Sequence, residues 1–303
     1  MSNQTLGPGD PLRIHLACGG ASASIALEGA ELQSLHLGGY DLLREPDAAW
    51  SATSPILFPI VGWARDGEIR VAGQTYPMGV HGFAAAQTFS CLACSSDTAT
   101  FQLVDTDQSR QSYPFAFDLR VHYRLSEIAL SMVLEIRNPG QTSLPYACGF
   151  HPGLRWPFAG GAADDYAIAF DVDEVPSVPV IAPGGLFSSE RRAIPLNGRS
   201  LPLSHALMAQ EALCFLNLRS QKLAFGKASD LQTNSGPVVE FEFENMPHMA
   251  LWAKPPSSFL CVEAWTGHGD PVGFRGDLAD KPSMLHLQPE ASATHGMRIA
   301  LRS

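Results

Sequence analysis

The chain is expected to be an all-β protein, a large antiparallel β-sandwich with few short helices. Three observations carry this expectation. Segments that alternate apolar and polar residues recur at close spacing, few windows keep a 3.6-residue period, and 27 glycines and 23 prolines punctuate the 303 residues throughout. No internal repeat, low-complexity block or long linker divides the sequence, so residues 1–303 read as a single domain. All-β domains often reach about 200–250 residues as one unit.

Residues 12–17, 22–27 and 32–37 read as short strands between Gly-rich turns, with Gly38-Gly39 as a hairpin signal. Residues 54–67 are an apolar run broken by Pro55 and Pro59, which makes a poor central strand. Carrying Trp63 and Arg65, it is a candidate pocket wall. Residues 69–76 form a hairpin around Ala72-Gly73 and lead into Gly79-Val80-His81-Gly82-Phe83-Ala84. From Thr88 onward strands follow closely. In residues 129–137, Leu130, Met132, Leu134 and Ile136 face one side, with Ser131, Glu135 and Arg137 on the other. Residues 176–203, rich in Pro, Gly and Ser, read as a long surface loop, and 204–212 as one short helix. Val239, Phe241 and Phe243 alternate with Glu240, Glu242 and Glu244, an acidic trio read as a solvated sheet face rather than a metal site.

Composition narrows the function. Hydrophobic residues make up 45% and charged residues 17%, enough apolar mass for a sizeable core and too little charge for disorder. A net charge of −10 argues against nucleic acid, whose binding depends on basic contacts to phosphate. Residues 1–11 are polar and carry neither a basic n-region nor an apolar h-region. No stretch approaches the roughly 18 apolar residues of a membrane span. A cytoplasmic protein without membrane contact is expected. The cysteines (Cys18, Cys91, Cys94, Cys148, Cys214, Cys261) read mostly as reduced core thiols. Cys91-Leu92-Ala93-Cys94 is a lone C-x-x-C whose sulfurs a regular strand would point to opposite faces, so no metal or redox role is expected of it.

The chemistry centres on Gly149-Phe150-His151-Pro152-Gly153. Proline moves the residue before it out of the α region, so His151 is held extended, and the glycines permit a turn or the close approach of a ligand. A lone histidine there would read as a turn residue; its company decides otherwise. His81 stands in His-Gly-Phe-Ala, and Glu263 ends the apolar run Phe259-Leu260-Cys261-Val262. A carboxylate in that position is either paired in the core or looks into a pocket beside Trp265, and burial raises its pKa toward that of a useful base. Trp265 itself is either core packing or a stacking surface for a sugar ring.

Several further stretches appear in order: Leu57-Phe58-Pro59 with Gly62, Asp66-Gly67, Gly73-Gln74-Thr75-Tyr76, Leu251-Trp252-Ala253-Lys254-Pro255, Glu263-Ala264-Trp265-Thr266-Gly267 and Met284-Leu285-His286-Leu287. With the two histidine motifs, this ordered set resembles the aldose 1-epimerase (galactose mutarotase) family, closest to its loosely characterised bacterial branch. The resemblance implies a galactose mutarotase-like β-supersandwich and an isomerase that interconverts α and β anomers of an aldose. It implies His151 as general acid, Glu263 as general base and His81 as a second histidine near the ring oxygen. Relatives carry an arginine where this chain has Trp63, and Arg65, two residues on, is the candidate replacement. Relatives also place an arginine where this chain has Ala85, and the absence of both arginines weighs against a sugar phosphate and against ordinary hexose recognition. Glu211 aligns loosely with a carboxylate that binds sugar hydroxyls, and Trp63, Arg65, Glu211 and Trp265 are the candidate substrate contacts. His268 and Asp270 are read evenly as pocket-lining or turn residues, and His286 as structural. The partner implied is a small-molecule sugar, the oligomeric state monomer or homodimer, and no cofactor or metal is implied. Two other readings fit the same residues: a non-catalytic carbohydrate-binding module of this fold, and a His/His/carboxylate site for Fe(II), which the histidine spacing does not support.

Overall fold

The computed structural model describes residues 12–256 and 258–302; the polar stretch 1–11 lies outside them. Two large antiparallel sheets dominate. The nine-stranded sheet runs in the order Ser200–Pro202, Tyr166–Phe170, Lys222–Lys227, Val238–Glu244, Ser292–Arg302, Ala129–Arg137, Asp118–Leu125, Thr98–Val104 and Ser90–Cys94. The six-stranded sheet runs Leu213–Leu216, His248–Trp252, Phe259–Trp265, Gly149–Phe150 and Ile56–Leu57, with Gly153–Arg155 also paired to Phe259–Trp265. Apolar residues from both sheets join one buried cluster.

Period-2 patterning sets the faces of the larger sheet. Leu130, Met132, Leu134 and Ile136 are buried while the residues between them are only partly so. Val239 and Phe241 are buried too, and on the opposite face Glu240 pairs with Arg302 and Glu242 with Lys222. Such exposed pairs contribute about 0–1 kcal/mol each, so the apolar face holds this sheet. Phe259–Trp265 behaves differently, since all its residues are buried. Flanked by strands on both edges, it forces Glu263 inside.

Local signals read from the sequence hold where they depend on near neighbours. Ala72 and Gly73 take φ of 49° and 78° between Glu68–Val71 and Gln74–Pro77, as a two-residue hairpin turn requires. The Ser204 hydroxyl accepts the Leu207 N–H and starts the short helix His205–Met208. Two expectations fail. Residues 176–203 are no loop: Ser177–Ala182 and Leu186–Ala193 pair as an antiparallel hairpin, and Ser200–Pro202 edges the nine-stranded sheet. Pro179 is tolerated because the register breaks between it and Ile181 in a two-stranded ribbon. In Ser90–Cys94 a register shift between Cys91 and Ala93 breaks the alternation. Cys94 thereby falls within electrostatic reach of Cys91, whose thiol pKa is raised first by burial and then by Cys94. Among the described residues no helix is long and apolar enough to cross a membrane.

Candidate active site

Glu263 and His151 meet across a strand ladder. Gly149 pairs with Trp265 and Phe150 with Ala264, and pairing resumes at Gly153 with Cys261. His151 and Pro152 therefore lie opposite Glu263 and Val262. Pro152 has no N–H to offer, but its carbonyl accepts the Val262 N–H at 3.1 Å. His151 Nε2 stands 3.2 Å from Glu263 Oε1. Trp265, two residues on and so on the same face, donates its Nε1–H to Glu263 Oε2 at 3.0 Å. The flanking glycines have a packing reason: a Cβ at Gly149 would stand 2.8 Å from the Trp265 ring, and one at Gly153 2.8 Å from Trp50. The motif seats two tryptophans as well as a histidine.

Electrostatics keep this pair from separating into free ions. Glu263 is 2% exposed and His151 7%. Burial drives the Glu263 carboxyl well above its usual range, with the Trp265 hydrogen bond opposing it. Burial, and then repulsion from His81, drives His151 well below the usual imidazole value. Both directions favour the uncharged forms, a carboxylic acid facing an imidazole nitrogen.

His81 is fixed by its own backbone. It has φ 61°. Its N–H donates to the Gly62 carbonyl at 2.9 Å, and the Gly62 N–H donates back to its Nδ1 at 3.1 Å. An Nδ1 that accepts leaves the hydrogen of a neutral ring on Nε2. The ring stands perpendicular to His151 with centroids 5.4 Å apart. Burial lowers its pKa from 6.5 to about 4, so it stays a neutral donor at physiological pH. A depressed histidine pKa contributes stability that is present above 6.5 and lost as pH falls through about 4. The loss from His81 is on the order of 3 kcal/mol. Denaturant midpoints measured from pH 7 to 4 are expected to fall less steeply for His81→Asn, and parallel curves would refute this.

The cavity in front of these groups is about 320 Å³ and collects His81, His151, Glu263, Trp63, Trp265 and Glu211 on its wall. Arg65 is not among its lining residues: its Nε donates to the Phe274 carbonyl at 3.0 Å, so it does not stand in for the family arginine. His268 and Asp270 also lie outside the wall. His268 packs on Phe187 at 4.8 Å, and Asp270 is paired to Lys281 at 2.9 Å. His286 is exposed on the strand Leu285–Leu287. Sequence reading missed Trp50 and the hairpin residues Ile181, Gly185 and Phe187, all of which line the cavity. Trp50 lies 5.0 Å from the His151 ring and stacks on Phe259 at 5.4 Å. Arg44 fixes its loop by donating to the carbonyls of Trp50 and Ala52 at 2.6 Å each. The signal for Trp50 was Gly153, whose missing side chain leaves the space. Among the described residues no three His, Cys, Asp or Glu side chains are placed to share a metal ion.

Trp63 is 49% exposed, and the Gly185 turn abuts its indole: a Cβ at Gly185 would fall 1.8 Å from Trp63 Cδ1. Gly185 also has φ 72°. Gly185→Ala is expected to displace the indole and destabilise by about 1–3 kcal/mol. A red-shifted tryptophan emission with a lower midpoint is the expected readout, and wild-type values in both would contradict the packing.

The two antiparallel sheets, with a buried carboxylate–imidazole pair on the smaller one, define a galactose mutarotase-like β-supersandwich. A model of the aldose 1-epimerase family matches residues 13–180, more than half the chain, and the chain belongs to that family. The matched part carries His81 and His151 and ends before Glu263. The protein LacX of Lactococcus lactis subsp. lactis is 26% identical over 262 residues, covering 83% of this chain and 86% of LacX. A galactose mutarotase-like protein from Lactobacillus casei is 26% identical with a TM-score of 0.87, covering 96% of this chain and 100% of that one. A galactose mutarotase related enzyme from Lactobacillus acidophilus is 25% identical with a TM-score of 0.85, covering 96% and 97% of the two chains.

Proposed function

We infer that the protein is an aldose 1-epimerase, an isomerase that interconverts the α and β anomers of an aldose. The observation that carries this reading is the 3.2 Å contact between Glu263 and His151, a buried carboxyl group and imidazole side by side on the cavity wall. A hemiacetal bears two oxygens on one carbon. Ring opening removes the proton of the C1 hydroxyl and delivers one to the ring oxygen, so a base and an acid must stand side by side. A C1 hydroxyl donating to Glu263 stabilises the carboxylate and moves the shared proton to His151. Imidazolium then protonates the ring oxygen as the C1–O5 bond breaks, while the Glu263 carboxylate takes the C1 hydroxyl proton and the C1 carbonyl forms. His81 Nε2–H is a second donor at that oxygen. Rotation of the aldehyde and closure on its other face return each proton to its origin, so the bookkeeping closes within the pair.

The test is NMR exchange between anomers of free aldoses. Exchange above the spontaneous rate is expected, falling roughly 10²–10⁴-fold in His151→Asn. The pH profile is expected to be bell-shaped, because activity needs one proton on the pair. Its acid limb lies below the ordinary imidazole value, since His151 is lowered, and its alkaline limb above the ordinary carboxylate value, since Glu263 is raised. Sugar binding without exchange in the wild type would overturn the enzyme and leave a carbohydrate-binding module.

A further inference from the structure

We propose that this site prefers 6-deoxyhexoses, neutral aldoses with a methyl group at C6, over their fully hydroxylated, phosphorylated or carboxylated counterparts. The proposal rests on the epimerase reading for the position of C1, and beyond that on what the cavity wall offers the remainder of the ring.

Every sugar hydroxyl carries a hydrogen that needs an acceptor once water is excluded. The carboxylates on the wall are Glu263 and Glu211. Both oxygens of Glu263 are already engaged, by His151 and Trp265, and its remaining capacity faces C1. His81 Nδ1 is occupied by the Gly62 N–H. The indoles of Trp50, Trp63 and Trp252 can donate but not accept, and the Cys214 sulfur is a weak acceptor. Glu211 is therefore the strong side-chain acceptor for the other hydroxyls, and its two oxygens suit a neighbouring pair. Its backbone is set for that task. It has φ 82°, a left-handed conformation unusual for this residue type. Arg192 stabilises that turn, Nη2 donating to the Glu211 carbonyl at 3.0 Å and Nη1 to Gln210 Oε1 at 3.3 Å. Among the described residues no side chain hydrogen-bonds the Glu211 carboxylate; Arg192 attracts it electrostatically without a direct ion pair, which leaves its oxygens open to a ligand.

A hexopyranose carries hydroxyls at C1, C2, C3, C4 and C6. With C1 at Glu263 and a neighbouring pair at Glu211, the others meet a wall whose further residues include Phe187, Ile181 and Val80. Replacing the hydroxymethyl group by methyl removes a hydroxyl for which this part of the wall has no side-chain acceptor and adds apolar contact. An anion at C6 fares worse. No lysine or arginine lines the cavity, Arg192 is engaged by the Glu211 turn, and the Glu211 carboxylate would repel the ligand.

The experiment measures kcat/KM for anomer exchange by NMR with matched pairs: fucose against galactose, rhamnose against mannose, 6-deoxyglucose against glucose. Glucose 6-phosphate and glucuronate complete the panel. The 6-deoxy member is expected to exceed its parent roughly tenfold or more, with the two anions below glucose. Phe187→Asn, which adds an acceptor at the wall, is expected to narrow that ratio. Parents equal to or better than their 6-deoxy partners, or an anion as best substrate, would overturn the preference. If no sugar exchanges, saturation-transfer binding on the same pairs separates the two claims. Selective 6-deoxy binding upholds this proposal while sinking the epimerase, whereas equal binding or none sinks this proposal as well.

Discussion

Glu263→Gln is expected to slow anomer exchange by roughly 10²–10⁴-fold while the protein remains folded. The amide is nearly isosteric, and its carbonyl can still accept the Trp265 Nε1–H that Glu263 Oε2 accepts at 3.0 Å. What it loses is the ability to take and return a proton. Stability carries a second signature. Because burial raises the Glu263 pKa, the folded state holds a proton that the unfolded chain releases. The resulting stability is present below the ordinary carboxylate range and lost as pH rises through the folded value. The Gln variant cannot titrate, so its denaturant midpoint should hold steadier than wild type across that window. An active Gln variant would remove Glu263 from the role of base, and one whose stability declines with pH as the wild type's does would show that the folded state holds no extra proton there.

Lys281→Met is expected to destabilise by about 3–5 kcal/mol, because it leaves Asp270 charged and unpaired inside the protein. The Lys281 Nζ lies 2.9 Å from Asp270 Oδ1, with both side chains buried. Burial lowers the Lys281 pKa, and Asp270 opposes that shift. The remaining partners of Asp270 connect this pair to the site. Its Oδ2 accepts the Arg65 N–H at 2.9 Å, its N–H donates to the Trp63 carbonyl at 2.9 Å, and its carbonyl accepts the Phe187 N–H at 2.9 Å. One buried ion pair thus ties the Trp63 segment to the hairpin that closes the cavity. Adding Asp270→Asn should restore much of the lost stability, since the uncompensated charge disappears. Denaturant titration of both singles and the double decides it; a Lys281→Met protein as stable as wild type would show that the pair does not organise this wall.

The site was legible wherever chemistry coincided with an unusual local pattern. An acid in the run Phe259-Leu260-Cys261-Val262-Glu263, and a histidine fenced by proline and glycine, both contradict their surroundings, and such contradictions concentrate where function lies. Arg65 was misplaced for the opposite reason. Two residues from Trp63 in sequence, it sits past Ala64 at the turn Arg65–Gly67, and its backbone there leads the guanidinium to Phe274 rather than to the cavity. Trp50 and Phe187 carried no local mark, because an aromatic residue in a loop or short strand reads as core until its neighbours are known.

What the sequence alone determined is the class of the fold, the hairpin turns, and the residue types able to move a proton, since these follow from period-2 burial, φ preference and side-chain chemistry within a few positions. The tertiary structure decided which of those residues share a cavity. His151 is brought 3.2 Å from Glu263 by pairing between strands more than a hundred residues apart. The composition of residues 176–203 resembled a loop, yet hydrogen bonds between Ser177–Ala182 and Leu186–Ala193 make a wall of the site. Strand partnership and the apolar packing behind it are long-range properties, so no window of sequence contains them.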